Sequence, residues 1–331
     1  MNIAVIGLGL IGGSLLRALA GAGHQVLGFD ADPAVRATAR DAAARLPARA
    51  RWQVTGTIRD AAAEADLVVL AVPLTALHQV LDALVSSGFH GLLTDVTSVK
   101  GPVREAVALR LSRAANPVVG YVGGHPMAGR ETSGFASSDP ALFTGCAWVL
   151  CLDNGVSLDD WLTLATLFTE LGARVVPATT EEHDRAVASV SHVPHLVANA
   201  LAACAADDLL ALTLAAGSFR DGTRVAATRP ELVGAMCGGN ADAVREALDE
   251  LRERLDQAAK ALDQRDPVRA VREWVAEGHA ARRAWPPDPG RPERVPAQAD
   301  TLLRLGRAGG WITTVAPDRR TVTGFLPVRT V

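Results

Sequence analysis

The chain has 331 residues, of which 49% are hydrophobic and 21% are charged, and its formal net charge at pH 7 is -3. At about 150 residues per domain, this length predicts two or so domains, and the apolar content excludes a mainly disordered or fibrous chain. The near-neutral charge gives no indication of nucleic acid or an anionic membrane as a partner. The four cysteines form no C-x-x-C pair and no zinc-ligand spacing with histidine, so we expect buried thiols and no metal site.

The N-terminal stretch lacks the pattern of a secretory signal, because Arg17 is its first cation and three glycines interrupt its apolar run. The longest candidate membrane segment, 193–216, contains Asp207 and Asp208, and we interpret it as a pair of buried helices. We therefore expect a cytoplasmic protein without membrane contact.

Short apolar runs alternate with alanine-rich helical patterns from the first residues onward. Each run is too short for a helix and rich in Val, Ile or Leu, which is typical of strands buried on both faces of a parallel sheet. Asp32-Pro33 and Gly101-Pro102 begin helical patterns, the second running to about residue 115. The alternation predicts a doubly wound, Rossmann-type α/β sheet. The predicted strands are 3–6, 25–29, 67–72, 92–96 and 118–122.

A strand at 147–152, a helix at 158–171 and a strand at 174–177 are expected to complete a dinucleotide-binding domain over residues 1–178. Residues 179–285 are predicted to be almost entirely helical and to form a substrate and dimerisation domain. One helix face repeats apolar residues every three or four positions. Another helix or another subunit must cover that face, which carries Leu248, Leu251, Leu255, Ala258 and Leu262.

The composition changes near residue 282. Nine arginines, four acidic residues and seven of the 18 prolines fall between 282 and 331. We interpret 286–331 as a linker, ending near 296, and a small αβ appendage with a helix at 302–305 and strands at 311–315 and 321–326. An RNA-binding tail is the alternative for this basic stretch, but aromatic residues are few and no recognition motif accompanies them.

The segment from Gly7 to Gly12 has the pattern of a dinucleotide-binding loop. Its sequence, G-L-G-L-I-G, follows the first predicted strand and leads into a helix, the context in which G-x-G-x-x-G is informative. The three glycines permit a tight turn, close approach to a pyrophosphate, and packing of helix on strand, while the helix start favours phosphate. We predict cofactor contacts from Gly7, Leu8, Gly9, Leu10, Ile11 and Gly12.

Asp30 ends the second predicted strand, 18 residues after Gly12. A carboxylate there can accept hydrogen bonds from both ribose hydroxyls and would repel a 2′-phosphate, so we predict NAD as the cofactor. No arginine follows immediately, because Arg36 stands a turn and a half further on. A structural turn with a surface aspartate is the alternative. Since ligands lie outside the carboxyl ends of parallel strands, further cofactor contacts are expected from Val72, Pro73 and Thr97.

Two loops at later strand ends should open on the same edge as the nicotinamide. One is D-V-T-S-V-K at 95–100, and the other is G-G-H-P-M-A-G-R-E at 123–131. His125 could act as a general base, and the hydroxyl of Ser98 could hydrogen-bond both that base and a substrate hydroxyl. A structural role is the alternative for an isolated histidine in a glycine-rich loop.

Two further clusters lie in the helical half. His192 and His195 are three residues apart on one helix face. Metal binding is the alternative there, although no third ligand is spaced to join them. In F-R-D-G-T-R, the fork of Arg224 suits a substrate carboxylate, while a salt bridge of Asp221 with an arginine is the structural alternative.

Together these motifs resemble the prephenate/arogenate dehydrogenase (TyrA) family. The resemblance covers about residues 1 to 285, and five ordered motifs are far more specific than a dinucleotide loop alone. The matching runs are G-L-G-L-I-G-G-S, D-V-T-S-V-K, G-G-H-P-M-A-G-x-E, E-E-H-D-R-A-V-A-S-V-S-H-V-P-H-L and F-R-D-G-T-R-V-A.

The resemblance implies an NAD-dependent oxidative decarboxylation of prephenate. Hydride leaves C4 of the ring, the ring carboxylate leaves as CO2, and the product is 4-hydroxyphenylpyruvate, the precursor of tyrosine. On the same basis, His125 removes the C4 hydroxyl proton and Ser98 orients that base. The resemblance also implies that Arg224 binds a substrate carboxylate. By the same resemblance, His192 and His195 line the pocket, and Glu131 and Asp221 form its polar gate.

The chain departs from the family pattern at 228–233. Many relatives carry a tryptophan after an S-D-P run there, whereas this chain has T-R-P-E-L-V. Arogenate or cyclohexadienyl dehydrogenase therefore stays open beside prephenate dehydrogenase. Some relatives also carry a C-terminal ACT regulatory domain, of which 286–331 would be a degenerate version, with tyrosine as a candidate feedback inhibitor.

Two other classes stay open. A β-hydroxyacid or pyrroline-carboxylate type dehydrogenase should place a catalytic lysine in the helical half, where Lys260 lies in a charged, exposed pattern. An NAD-responsive sensor would have no need of a base opposite the nicotinamide. We therefore expect a prephenate dehydrogenase that is a homodimer through its helical domain, with a small-molecule substrate and neither nucleic acid nor membrane as a partner.

Overall fold

A computed structural model describes residues 1–111, 120–130 and 132–328 of the chain. These residues form two compact units. Among the described residues, unit 1 comprises those within 1–183 and 291–326, and unit 2 comprises 184–290 and 327–328.

Six short strands of unit 1 form a parallel sheet. They are β1 (Asn2–Ile6), β2 (Gln25–Phe29), β3 (Gln53–Val54), β4 (Leu67–Leu70), β5 (Leu92–Asp95) and β6 (Gly120–Val122). Their order, β3-β2-β1-β4-β5-β6, is that of a doubly wound dinucleotide-binding fold. β4 and β5 are buried along their whole length, as strands covered on both faces should be. The predicted Rossmann-type class is confirmed.

Six more strands form a second, mixed sheet in the same unit. They are β7 (Gly124–Pro126), β8 (Ala147–Cys151), β9 (Arg174–Ala178), β10 (Pro292–Pro296), β11 (Trp311–Val315) and β12 (Thr321–Phe325). Their order is β10-β12-β11-β9-β8-β7, with only β8 and β9 parallel. Half of this sheet therefore comes from the C-terminal residues.

The helices of unit 1 pack on both sheets. They are α1 (Leu10–Gly21), α2 (Pro33–Ala44), α3 (Ile58–Ala62), α4 (Leu77–Ser87), α5 (Gly101–Leu111), α6 (Leu158–Glu170) and α14 (Ala299–Arg307). Asp32 caps α2 through the Ala34 N–H, next to Pro33 at the first helical position. Trp148 of β8 is inaccessible and stacks on Phe168 of α6 with 3.8 Å between ring centroids, which fixes that helix on the second sheet.

Unit 2 is helical. The helix α7 (Thr180–Val187) enters it from unit 1 and continues through a π-helical turn, Ala188–His192. Six more helices follow: α8 (Val193–Ala205), α9 (Leu209–Leu214), α10 (Gly217–Thr223), α11 (Pro230–Gly239), α12 (Ala241–Leu262) and α13 (Pro267–Arg283). The stretch Thr180–Ala205 is apolar and long enough to cross a membrane, but its first turns carry a run of charged residues and its histidines 183 and 192 are buried in the protein.

Unit 2 buries few apolar residues of its own, chiefly Ala188, Val193 and Val244. On the predicted face of α12, Leu255 and Leu262 are more than half exposed. Other large apolar side chains exposed in this unit are Val190, Leu201, Leu209, Leu210, Leu212, Leu214, Leu232, Val268, Trp274, Val275 and Trp285.

The structure differs from the sequence-based expectation in its later strands. The strands expected at 147–152 and 174–177 exist as β8 and β9, and they lie in the second sheet of unit 1. Residues 292–296, predicted as linker, form β10, which pairs with β12. The helix and two strands predicted in the C-terminal stretch are present as α14, β11 and β12, and they lie in unit 1. Parts of two predicted elements, 112–115 and 118–119, lie outside the described residues.

Candidate active site

The glycine-rich loop joins β1 to α1 with the geometry that the three glycines predict. Gly7 has a positive φ of +96°, and a Cβ there would lie 2.3 Å from the Ala71 carbonyl oxygen. A Cβ on Gly12 would lie 1.9 Å from the Gly7 carbonyl oxygen, whereas a Cβ on Gly9 would have no described atom within 4 Å. Gly7 and Gly12 are therefore required by the fold, and Gly9 leaves open space above the backbone.

Asp30 lies just beyond β2 and binds this loop. Its Oδ2 accepts a hydrogen bond from the Leu8 N–H at 2.7 Å, and its Oδ1 accepts one from the Asp32 N–H at 2.9 Å. Each carboxylate oxygen keeps a further lone pair, so the group can still accept hydrogen bonds from ribose hydroxyls. Arg36 reaches back to the same strand end, where its Nη1 donates to the Asp30 carbonyl oxygen at 2.7 Å.

The open space above Gly9, the start of α1 without a side-chain cap, and the carboxylate of Asp30 fit a dinucleotide. The chain after β4 closes the other side of this cradle, since Val72 Cγ1 would lie 3.0 Å from a Cβ on Gly7. Pro73 follows it and precedes a short 3-10 turn. Thr97, predicted to contact the cofactor, has its hydroxyl 2.5 Å from Asp95 Oδ1 and 2.9 Å from the Val99 carbonyl oxygen.

A buried ion pair joins the two sheets beside the cradle. Asp95 ends β5 and Lys100 precedes α5, and both side chains are inaccessible and in direct contact. Lys100 Nζ also donates to the Gly124 carbonyl oxygen at 2.6 Å, and the Tyr121 hydroxyl donates to Asp95 Oδ2 at 2.7 Å. Burial raises the pKa of Tyr121 well above its usual value, and the negative charge of Asp95 raises it further. Ser98 lies half-buried in the loop between these two anchors.

His125 follows Gly124 on β7, the edge strand of the second sheet, and pairs with Val149. Its Nδ1 lies 2.8 Å from Nε2 of His183, which is 2% exposed in the first turns of α7. The rings meet edge-on at an interplanar angle of 72°. His125 is therefore held by a hydrogen bond on one ring nitrogen, as a positioned base requires.

His183 is a site residue that the sequence alone does not single out. It stands in the E-E-H-D-R-A run that resembles the family, but nothing in its spacing shows that its ring meets a histidine 58 positions earlier. The pairing depends on the second sheet, whose β8 and β9 connect β7 to α7.

In unit 2, the structure places His192 and His195 in different surroundings. His192 is inaccessible, and its Nδ1 lies 3.2 Å from Nδ2 of Asn240, which also donates to the Asp184 carbonyl oxygen. His195 is half-buried. Burial lowers the pKa of His195, a hydrogen bond with the Val225 backbone opposes this change, and the positive charge of Arg224 lowers it further. The positive charge of Arg224 therefore acts on the His195 imidazole and favours its neutral form.

The predicted polar gate is described only in part. Asp221 is exposed and lies 3.6 Å from Nε of Arg220, an exposed pair of the kind that contributes little. Glu131 lies outside the described residues.

The fold and the cradle define an NAD-dependent oxidoreductase with a helical second half. Models of the nucleotide-binding domain and of the dimerization domain of prephenate dehydrogenase match residues 14–177 and 179–276. The chain belongs to the prephenate dehydrogenase family.

Individual relatives agree with this assignment. A cyclohexadienyl dehydrogenase of Zymomonas mobilis is 33% identical over 75% of this chain and 84% of its own length. A prephenate dehydrogenase of Lactococcus lactis is 29% identical over 86% of this chain and 77% of its own. The crystal structure of Aquifex aeolicus prephenate dehydrogenase with hydroxyphenyl propionate and NAD+ is 25% identical, with a TM-score of 0.74 over 86% of this chain and 97% of that one.

The space above Gly9 provides a test of the cofactor site. Gly9→Ala should leave the melting temperature unchanged, because the new methyl group meets no described atom, and should weaken NAD binding at least about tenfold by obstructing the pyrophosphate. Calorimetric titration with NAD measures this effect. Gly21→Ala, at the other end of α1 and equally without close neighbours, is the matched control. Unchanged NAD affinity in Gly9→Ala would place the pyrophosphate elsewhere.

Proposed function

We propose that this protein is the NAD-dependent prephenate dehydrogenase of its cell, with His125 as the general base. The observation that carries the assignment of the base is the 2.8 Å contact between His125 and the buried His183. The reaction converts prephenate to 4-hydroxyphenylpyruvate and CO2, so the product serves tyrosine biosynthesis.

The contact between the two histidines supports Nε2 of His125 as the nitrogen that works as the base. A neutral imidazole has one N–H and one lone pair. When Nδ1 of His125 donates to Nε2 of His183, the lone pair lies on Nε2 of His125. That nitrogen then accepts the proton of the C4 hydroxyl, and the resulting imidazolium keeps its hydrogen bond to His183.

NAD, when bound, accepts the hydride from C4. The chain contributes the rest of the geometry: the Gly7–Gly12 loop and Asp30 hold the dinucleotide, and Ser98 orients the base and the substrate hydroxyl. Formation of an aromatic ring supplies much of the driving force. The main tasks of the protein are therefore to place the reacting groups and to accept one proton.

The substrate is an anion, and we assign one of its carboxylates to Arg224. Support comes from the planar fork of this guanidinium, which suits a carboxylate, and from His195, whose pKa the positive charge of Arg224 lowers. His192, Asp221 and Glu131 remain proposals for the pocket lining and for the polar gate. Arogenate is the alternative substrate, since one curated relative is a cyclohexadienyl dehydrogenase.

We further propose a cytoplasmic homodimer that associates through unit 2. The exposed leucines of α9 and α12 support this assembly, because large apolar side chains left uncovered favour association. For the domains, we propose that 1–178 bind the dinucleotide and that 179–285 bind substrate and dimerise. Tyrosine stays a candidate inhibitor, with residues 286–331 as its candidate site.

The function is tested by following NADH formation with purified protein, NAD, and prephenate or arogenate, with NADP as the cofactor control. We expect turnover of prephenate with NAD. His125→Asn should lower kcat by about two decades or more, because asparagine cannot accept the proton, and should leave NAD binding unchanged. Near-normal turnover of this variant would exclude His125 as the base, and silence of the wild-type protein with both substrates would exclude the reaction.

The role of His183 is tested by two substitutions. His183→Leu removes the acceptor for His125 Nδ1–H and should lower kcat about tenfold or more, because the wrong tautomer becomes accessible. His183→Gln keeps an acceptor oxygen near the same place and should retain more of the activity. Steady-state kinetics compare the two variants, and equal kcat values for leucine and glutamine would show that the hydrogen bond has no catalytic role.

The role of Arg224 is tested through KM. Arg224→Ala should chiefly raise the KM for prephenate, by about tenfold, because a charged hydrogen bond to the carboxylate is lost. Arg220→Ala is the matched control, since Arg220 is an exposed arginine of the same segment. An unchanged KM in Arg224→Ala would move the carboxylate site elsewhere.

A further inference from the structure

The C-terminal segment, defined as residues 291–326, is built into the sheet that carries the base. It contributes β10, β11 and β12, which continue directly into β9, β8 and β7. The junction is the pairing of Ile312 with Val175. The segment lies beyond the two family matches, which end at residue 276.

The helix α14 of this segment lies against the end of β9. A Cβ on Gly306 would lie 1.8 Å from the Pro177 carbonyl oxygen. Only glycine permits this approach, so the end of α14 is fixed on the strand that leads into α7.

The start of α7 is held by a reciprocal pair of hydrogen bonds. The Thr179 N–H donates to Glu182 Oε2 at 2.9 Å, and the Glu182 N–H donates to Thr179 Oγ1 at 3.2 Å, as in a capping box. Asp153 accepts from the Thr180 N–H and hydroxyl at 2.8 and 2.6 Å. His183 is the next residue along the helix, so its position depends on this first turn.

Arg307, at the end of α14, binds the same first turn. Its Nε donates to Glu182 Oε1 at 2.5 Å. Burial raises the pKa of Glu182, but the Thr179 N–H and the Arg307 guanidinium outweigh it and hold this pKa below its usual value. Glu182 therefore stays ionised, with one oxygen on the helix start and the other on the C-terminal segment.

We propose that the C-terminal segment positions the catalytic histidine pair, with Arg307 acting through Glu182 to hold His183 against His125. This inference rests on the proposed role of His125 as the base. Arg307 is a positioning residue, because its contact is with Glu182 and not with a reacting atom. Small displacements matter here, since misplacement of a reacting group by about 1 Å can cost roughly a hundredfold in rate.

The kinetic test compares three variants. Arg307→Ala should lower kcat for prephenate by about three- to tenfold and leave the KM for NAD within about twofold, because the dinucleotide loop lies on the other sheet. Arg307→Lys keeps a cation near Glu182 and should restore most of kcat. Arg304→Ala is the matched control, because Arg304 is an exposed arginine of the same helix whose guanidinium donates to the neighbouring Thr301 hydroxyl.

Each kinetic outcome decides the proposal. Wild-type kcat in Arg307→Ala would overturn it. An equal loss of kcat in Arg304→Ala would also overturn it, because the effect would then be general to the helix. A loss in Arg307→Ala that Arg307→Lys does not restore would overturn it as well, because a cation near Glu182 would then not account for the effect. Thermal melting of all three variants verifies that each is folded.

A second readout does not depend on turnover. In ¹⁵N-histidine NMR spectra, Arg307→Ala should alter the ring nitrogen signals of His125 and His183, and His183→Gln identifies the signals of the pair. Unchanged signals in Arg307→Ala would overturn the positioning role even if the wild-type protein does not oxidise prephenate. Altered signals with an inactive wild-type protein would retain the positioning role and reject only the proposed function.

Discussion

The buried contact between Lys100 and Asp95 is the interaction on which the site depends most. Both side chains are inaccessible, and a buried charge is tolerated only when it is paired and its remaining hydrogen bonds are satisfied. The partners that satisfy them are Thr97, Tyr121 and the Gly124 carbonyl oxygen. Because these groups belong to the end of β5, to β6 and to β7, one ion pair holds together the three chain segments around His125.

This arrangement explains why the two sheets can share one catalytic unit. The parallel sheet presents its strand ends to the dinucleotide, whereas β7 starts a different sheet only two residues after β6 ends. Lys100 links the two sheets at this point, because its Nζ donates to the carbonyl oxygen of Gly124, the residue before His125. His125, the proposed base, is therefore linked to the end of β5 by a buried cation, because β7 pairs with β8 and not with a strand of the parallel sheet.

The sequence predicts the parallel sheet and the cofactor cradle well, because both depend on local patterns. Buried strands are short apolar runs, and the roles of Gly7 and Gly12 follow from the close approach of neighbouring backbone. The second sheet is harder to predict from the sequence, because the three-residue strand Gly124–Pro126 and the proline-bounded β10 carry no periodic pattern. The contact of His183 with His125 depends on β8 and β9, which bring distant parts of the chain together. Arg307 belongs to a C-terminal stretch whose composition shows only that it is basic. Lys100 and Asp95 lie in a predicted motif, but their burial together is visible only in three dimensions.

The contact partner of His125, the proposed base, bears on the binding of an anionic substrate. A carboxylate partner for His125 would increase the basicity of the imidazole, but it would also place a negative charge near a substrate that carries two carboxylates. The contact at Nδ1 is with a second imidazole, which orients the ring through a hydrogen bond and adds no negative charge when neutral. The nearby carboxylate, Asp95, is compensated by Lys100. This contact orients His125 for the proposed proton transfer without placing a carboxylate at Nδ1, and correct placement of a reacting group raises the rate.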